Sequence, residues 1–215
     1  MTRMLYAALM ISLLENSAGF AQSVSAPESR PIHQEFSNPE QSVQNWVDRE
    51  FPDQMSHNSK RSETVRLERV AETLITECID AVRARFAPDA PHLSPDPDLT
   101  DIARERSEAM AHGAPFSHED ENGRFVAADM VHKRFGPHGA IGENILKMSG
   151  SQDFDAATFA ESAVSGWMTS PGHRANILSP DYRSCGIGVA VNGGNAYATQ
   201  VFRAPPRSAT IRPPE

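Results

Sequence analysis

The order of its hydrophobic periods restricts this chain more than any single motif. From residue 67 to 169 the strongest patterns repeat at three- and four-residue steps, whereas a clean two-residue alternation occurs late, over 185–202. There Cys185, Ile187, Val189 and Val191 alternate, Asn192-Gly193-Gly194-Asn195 is a turn signal, and Tyr197 to Phe202 returns as a partner strand. Strands bunched at the end of a chain cannot form a regular βαβ repeat. The expected class is therefore α+β, a helix-and-sheet sandwich.

The helical segments are legible by the same logic. Leu67, Val70, Leu74, Cys78, Val82 and Phe86 make a core-facing stripe that Pro88 ends. The segment 91–97 (PHLSPDP) reads as a proline-rich turn, after which Asp98 can cap a helix with Leu99, Ile102, Ala103 and Met110 inward. A loop with Gly113, Pro115 and the polar run 117–122 carries His118, and a short helix over 123–134 stops at Gly136-Pro137. Residues 139–148 look extended and centre on Glu143. A third strong helix over 154–169 buries Phe159, Ala163, Val164 and Trp167, and ends at a Ser170-Pro171-Gly172 stop.

With 215 residues and 39% hydrophobic composition, the chain can bury one core rather than two. Residues 1–21 read as an export signal: Arg3 precedes an apolar run, Leu5 to Leu14, too short to span a bilayer, and Gly19-Phe20-Ala21 offers small residues for cleavage. Glu15 and Asn16 interrupt that pattern. Residues 22–66 form a linker rich in Pro, Ser and Gln, with a short helix at 39–51 carried by Val43, Trp46, Val47 and Phe51. The domain proper spans 67–203, and 204–215 is expected to be a disordered tail. A net charge of −8 with no Lys/Arg cluster argues against nucleic acid as a partner. No later run is apolar enough for a transmembrane segment, so a soluble, secreted or periplasmic protein is expected.

His118, Glu143 and His173 are the candidates for chemistry. Two imidazoles and a carboxylate can hold a divalent metal, zinc or copper by donor type, or can act without one as acid–base groups or polar anchors. Glu143 stands among Ile141, Ile145 and Leu146, where a carboxylate must be paired, solvated or protonated; pinning its strand to a neighbouring loop would satisfy it equally. Ser117 and Ser170 adjoin these histidines and permit a Ser-His-Glu triad, but no GxSxG turn surrounds either. His33, His57, His92, His112, His132 and His138 read as linker, turn or helix-end residues. Cys78 and Cys185, an even number in an exported chain, allow a disulfide or two buried thiols.

These segments resemble a known family. Phe116-Ser117-His118, GENIL at 142–146, WMTSPGHRANIL at 167–178 and CGIGVAV at 185–191 are similar to the bacterial branch of the CAP (SCP) superfamily, as more loosely are IDAVR at 79–83 and LSPDPDL at 93–99. That superfamily includes cysteine-rich secretory proteins, venom allergens and plant pathogenesis-related proteins. The resemblance implies a three-layer α-β-α sandwich around a mostly antiparallel sheet. It also implies a cleft holding His118, Glu143 and His173, lined by Ser117, Asn144, Ser170 and Arg174. A divalent metal at His118 and His173 is the implied cofactor, with Glu143 catalytic only in a hydrolase. Ser170 stands where animal members carry a second glutamate, which implies a weaker metal site or none. A Cys78–Cys185 bridge would join the first helix to a late strand. The implied function is an exported binding module for a lipid, sterol, glycan or envelope protein. The alternatives are a metal-assisted hydrolase, or a structural or signalling domain with a vestigial cleft.

Overall fold

A computed structural model of the chain describes residues 60–150 and 154–206. The export signal expected at 1–21, the linker helix expected at 39–51 and the tail beyond 206 lie outside the described residues. The elements run α1 (Lys60–Phe86), β1 (Ser94–Pro95), α2 (Pro97–Ala111), α3 (Val126–Phe135), β2 (Ile141–Ser149), α4 (Ala156–Thr169), α5 (Pro171–Leu178), β3 (Ser184–Asn192) and β4 (Asn195–Arg203). Helix α1 already begins ahead of the expected domain start at 67. Ala204, placed in the tail by sequence, is buried and donates its N–H to Ala140 O at 2.8 Å, extending the β2–β4 pairing.

Three local expectations need correction. The N-cap of α2 is Asp96 rather than Asp98: its carboxylate accepts from the N–H groups of Asp98 and Leu99, and Pro97 fills the first helical position, where no N–H is needed. The preceding turn also contains β1, whose two residues pair in parallel with Ser184 and Cys185. Ser170-Pro171-Gly172 does end α4, but Pro171 then opens α5 for the same reason that Pro97 opens α2.

The sheet order is β1-β3-β4-β2, antiparallel except at β1. Side-chain alternation sorts its two faces. Cys185, Ile187, Val189, Ala198 and Phe202 enter the core shared with α1, α4 and α5, whereas Val201 packs with Leu99, Ile102 and Val131 of α2 and α3. Helices therefore cover both faces, which is the three-layer α-β-α sandwich. The residues of β3 that face α2 include Gly186 and Gly188, and there is no room for more. A Cβ on Gly186 would lie 2.1 Å from Thr100 N, and one on Gly188 2.1 Å from Arg104 N. Helix α2 rests directly on the strand backbone.

Both sheet edges are closed by side chains. On the β3 edge, beyond β1, the N–H groups of Val189 and Val191 donate to Glu72 Oε1 at 3.1 Å and Glu68 Oε1 at 2.7 Å. On the β2 edge, Asn176 Nδ2 donates to Glu143 O at 3.2 Å and Trp167 Nε1 to Ile145 O at 3.1 Å. Unpaired strand edges invite association, and these contacts occupy them.

Cys78 and Cys185 form no disulfide; both are free and buried. They belong to one core but face different neighbours: Glu77 and Glu161 lie nearest Cys78 in charge, Asp80 and Arg83 nearest Cys185. Burial pushes each thiol up to about 12, so both are inert packing groups.

Candidate functional site

The site straddles the β2 edge, where the two helical layers meet. Glu143 points from β2 with its side chain fully buried, and both of its oxygens are occupied. Arg106 Nε donates to Oε1 at 2.8 Å, and His118 Nδ1 lies 2.7 Å from Oε2. Arg106, itself buried on α2, also donates from Nη2 to Ser117 O at 2.7 Å. One guanidinium thus neutralises the carboxylate and holds the loop that presents His118.

His173 arrives from the opposite layer, on the first turn of α5. The His118 and His173 rings stand 5.7 Å apart at 64°, and Phe125 meets His118 edge-on at 6.4 Å. Helix α5 is fixed from below by a buried polar network. Asn144 Nδ2 donates to His173 O at 3.2 Å and to Gln200 Oε1 at 3.3 Å, while Asn144 Oδ1 accepts from Asn176 Nδ2 at 3.0 Å. Arg83 secures the far end, donating to the carbonyls of Ile177 and Ser179. Gln200 Nε2 is the one buried side-chain polar atom without a partner among the described residues.

A carboxylate only accepts, so the proton between Glu143 and His118 sits on Nδ1 of the imidazole. The His118 side chain, held at Nδ1 by Glu143, is 41% exposed. Burial, then the nearby His118, lowers the pKa of His173 despite the opposing pull of Glu143. The arrangement sets two imidazoles above an ion-paired carboxylate. In chemical terms it can accept hydrogen bonds from a polar ligand or donate lone pairs to a cation.

Of the expected residues, the fold joins His118, Glu143 and His173, with Asn144 directly beneath. Ser117 lies in the loop, but its hydroxyl accepts the Glu119 N–H at 3.0 Å and is turned into its own turn. Ser170 joins α4 to α5 and makes no side-chain cap. Arg174 lies apart, its guanidinium 5.4 Å from the centre of the Phe86 ring on α1. Sequence reasoning missed Arg106. Its signal was an arginine four residues after Ile102 and four before Met110, inside the inward stripe of α2.

No group of three or more His, Cys, Asp or Glu side chains among the described residues is placed to hold a metal ion. The donor set is two imidazoles, and His118 is oriented by a carboxylate in the way metal-binding histidines commonly are. That fits a weakly held divalent ion with two protein ligands, not a closed zinc site. Two surface cavities of ≈ 280 and ≈ 140 Å³ lie elsewhere; neither is lined by His118, Glu143 or His173.

Comparison with known proteins agrees with this architecture. The family described as CAP, the cysteine-rich secretory protein family, matches residues 66–202, more than half of the chain. The chain belongs to the CAP family. Among solved structures it is similar to an extracellular protein containing a SCP domain from Bacillus anthracis, at 24% identity and TM-score 0.56, over 69% of this chain and 45% of that one. The chain thus spans under half the length of that relative. It is also similar to an outer surface protein from Borrelia burgdorferi, at 15% identity and TM-score 0.53, covering 63% of this chain and 92% of the other. No curated protein matches. No helix of the described residues is long and apolar enough to cross a membrane.

Proposed function

We propose that this chain is an exported binding module whose His118–Glu143–His173 cleft takes a polar component of the cell envelope or its surroundings. The observation that carries this reading is the pairing of His118 Nδ1 with a buried, Arg106-neutralised Glu143, which leaves two imidazoles converging at an accessible edge. Export is supported by the amino-terminal pattern of the sequence and by similarity to an extracellular and an outer-surface bacterial protein. A polar glycan or protein ligand suits this cleft better than a lipid or sterol, because the groups that converge in it are imidazoles and a carboxylate rather than an apolar channel.

A divalent ion at His118 and His173 is compatible with this function, and when bound it would supply Lewis acidity. The hydrolase reading is weaker, for a reason specific to Glu143. A general base needs a free oxygen within reach of its proton, and both Glu143 oxygens are committed. Its role here is to orient His118.

The test is co-sedimentation of the full chain with purified peptidoglycan sacculi and, separately, with anionic lipid vesicles, alongside zinc titration calorimetry. Sacculus binding that disappears in the His118→Ala/His173→Ala double variant is the expected result. Binding to vesicles alone would move the ligand to lipid. No binding to either probe would favour a structural domain with a vestigial cleft.

A further inference from the structure

We propose that His132 and His138 form a second two-histidine site, which takes a borderline divalent transition ion, zinc or copper. It shares no residue with the His118–Glu143–His173 cleft and stands or falls separately from it.

The stop of α3 builds the pair. His132 lies in the last turn of that helix, where its carbonyl accepts the Gly136 N–H at 2.8 Å. Gly136, at φ +72°, turns the chain back, and Pro137 leads on to His138. The two rings end 6.0 Å apart between centres, at 71°. The His118–His173 contact, at 5.7 Å, is the other imidazole pair among the described residues. His138 Nδ1 lies 2.6 Å from Gly139 O; a carbonyl only accepts, so Nδ1 carries the proton and Nε2 is the nitrogen left for an ion. Ligating histidines are commonly fixed in this way through their other nitrogen.

The spacing suits one shared ion. Metal–nitrogen bonds of about 2.0–2.1 Å put each ring centre roughly 3.2 Å from the ion, so two centres can stand up to about 6.4 Å apart. A tetrahedral angle would draw them to about 5.2 Å, and His132, being exposed, can rotate by that much. His138 lines the ≈ 280 Å³ cavity, which leaves room for waters in the remaining positions. The cations around the pair are largely answered. Lys133 pairs with Asp129 and Arg134 with Glu105, both at 2.6 Å, and Arg203 pairs with Asp96. Arg183, also on the cavity wall, turns Nη1 to the carbonyls of Pro180 and Tyr182. The negative end of the α3 dipole favours a cation at this place, and so does a chain of net charge −8. Two imidazoles without a carboxylate select zinc or copper over magnesium or calcium. An ion on both rings would tie the end of α3 to the lead-in of β2.

The experiment is zinc titration calorimetry of the full chain carrying His118→Ala/His173→Ala, with magnesium as the control ion. That background removes the cleft, so the result is independent of the cleft's ligand. One zinc and no magnesium should bind, and adding either His132→Ala or His138→Ala should weaken zinc by about tenfold or more. Zinc should also raise the melting temperature of the background protein, but not of the protein lacking all four histidines. A melting temperature without zinc equal to the parent's separates lost ligation from lost folding. Where His138→Ala lowers it through the Gly139 contact, His132→Ala, at an exposed ring, carries the test alone. Absence of zinc uptake by the background protein at millimolar concentration overturns the proposal. So does uptake that survives the loss of both His132 and His138, because the ion is then held elsewhere.

Discussion

Replacing Arg106 by alanine isolates the interaction on which the whole site depends. The Glu143 side chain is fully buried and Arg106 is 5% exposed, so the substitution leaves a carboxylate in the interior with one remaining partner, His118. Breaking one half of such a pair costs about 3–5 kcal/mol, because the stranded charge cannot recover its hydration. Losing the Ser117 O contact adds to this, since that carbonyl is left short of a donor. At ~3–4 °C per kcal/mol for a domain of this size, the melting temperature should drop by roughly 10–20 °C. The double variant Arg106→Met/Glu143→Gln removes both charges and should recover at least half of that loss, since the penalty belongs to the unpaired ion rather than to a missing attraction. Thermal melts by circular dichroism and urea titrations of the three proteins provide the measurement. A loss below about 1 kcal/mol in Arg106→Ala, or a double variant no more stable than the single one, would refute the reasoning.

Three further outcomes follow from the packing. Burial raises the pKa of Glu68 above its unfolded value, so folding favours its protonated form: the associated stability is present below the unfolded value of 4.5 and is lost as pH rises through the folded one. Glu68→Gln keeps an acceptor for Val191 N–H without the charge, and should melt no lower than wild type at pH 7, with any advantage gone by pH 4. Cys78 and Cys185 should resist maleimide in the native protein at pH 8 and label with a stoichiometry of two in denaturant; a protein that takes up no label when unfolded would carry the bridge the fold lacks. Gly188→Ala forces a Cβ into the Arg104 backbone and should cost about 3 kcal/mol or more, read from the urea midpoint.

Much of this architecture is legible in the amino-acid order alone, and the exceptions share a cause. The stripe from Val70 to Phe86, the buried face of α4 and the NGGN hairpin are periodic over many residues, so their pattern stands above local noise. His118, Glu143 and His173 were recognisable from their flanking motifs. What the pattern could not reveal was pairing across distance. β1 is two residues long and exists because Arg183 O and Cys185 O, far along the chain, accept from the N–H groups of Ser94 and Asp96. Arg106 lies within the inward stripe of α2, and only its contact with Glu143 across the layers explains a buried arginine there. Arg174 follows His173 directly, yet one step around a helix turns it toward Phe86 instead of the site.

The carboxylates of Glu68 and Glu72 have a consequence for how this protein fails. The strand they cover reads Cys-Gly-Ile-Gly-Val-Ala-Val, apolar, uncharged and free of proline, the composition that stacks readily between chains. Its donors at Val189 and Val191 are stoppered by the first half of α1 alone. Peeling that half-helix away uncorks the strand while the rest of the sandwich still stands. The onset of aggregation should therefore track local fraying of α1, at temperatures below the global melt.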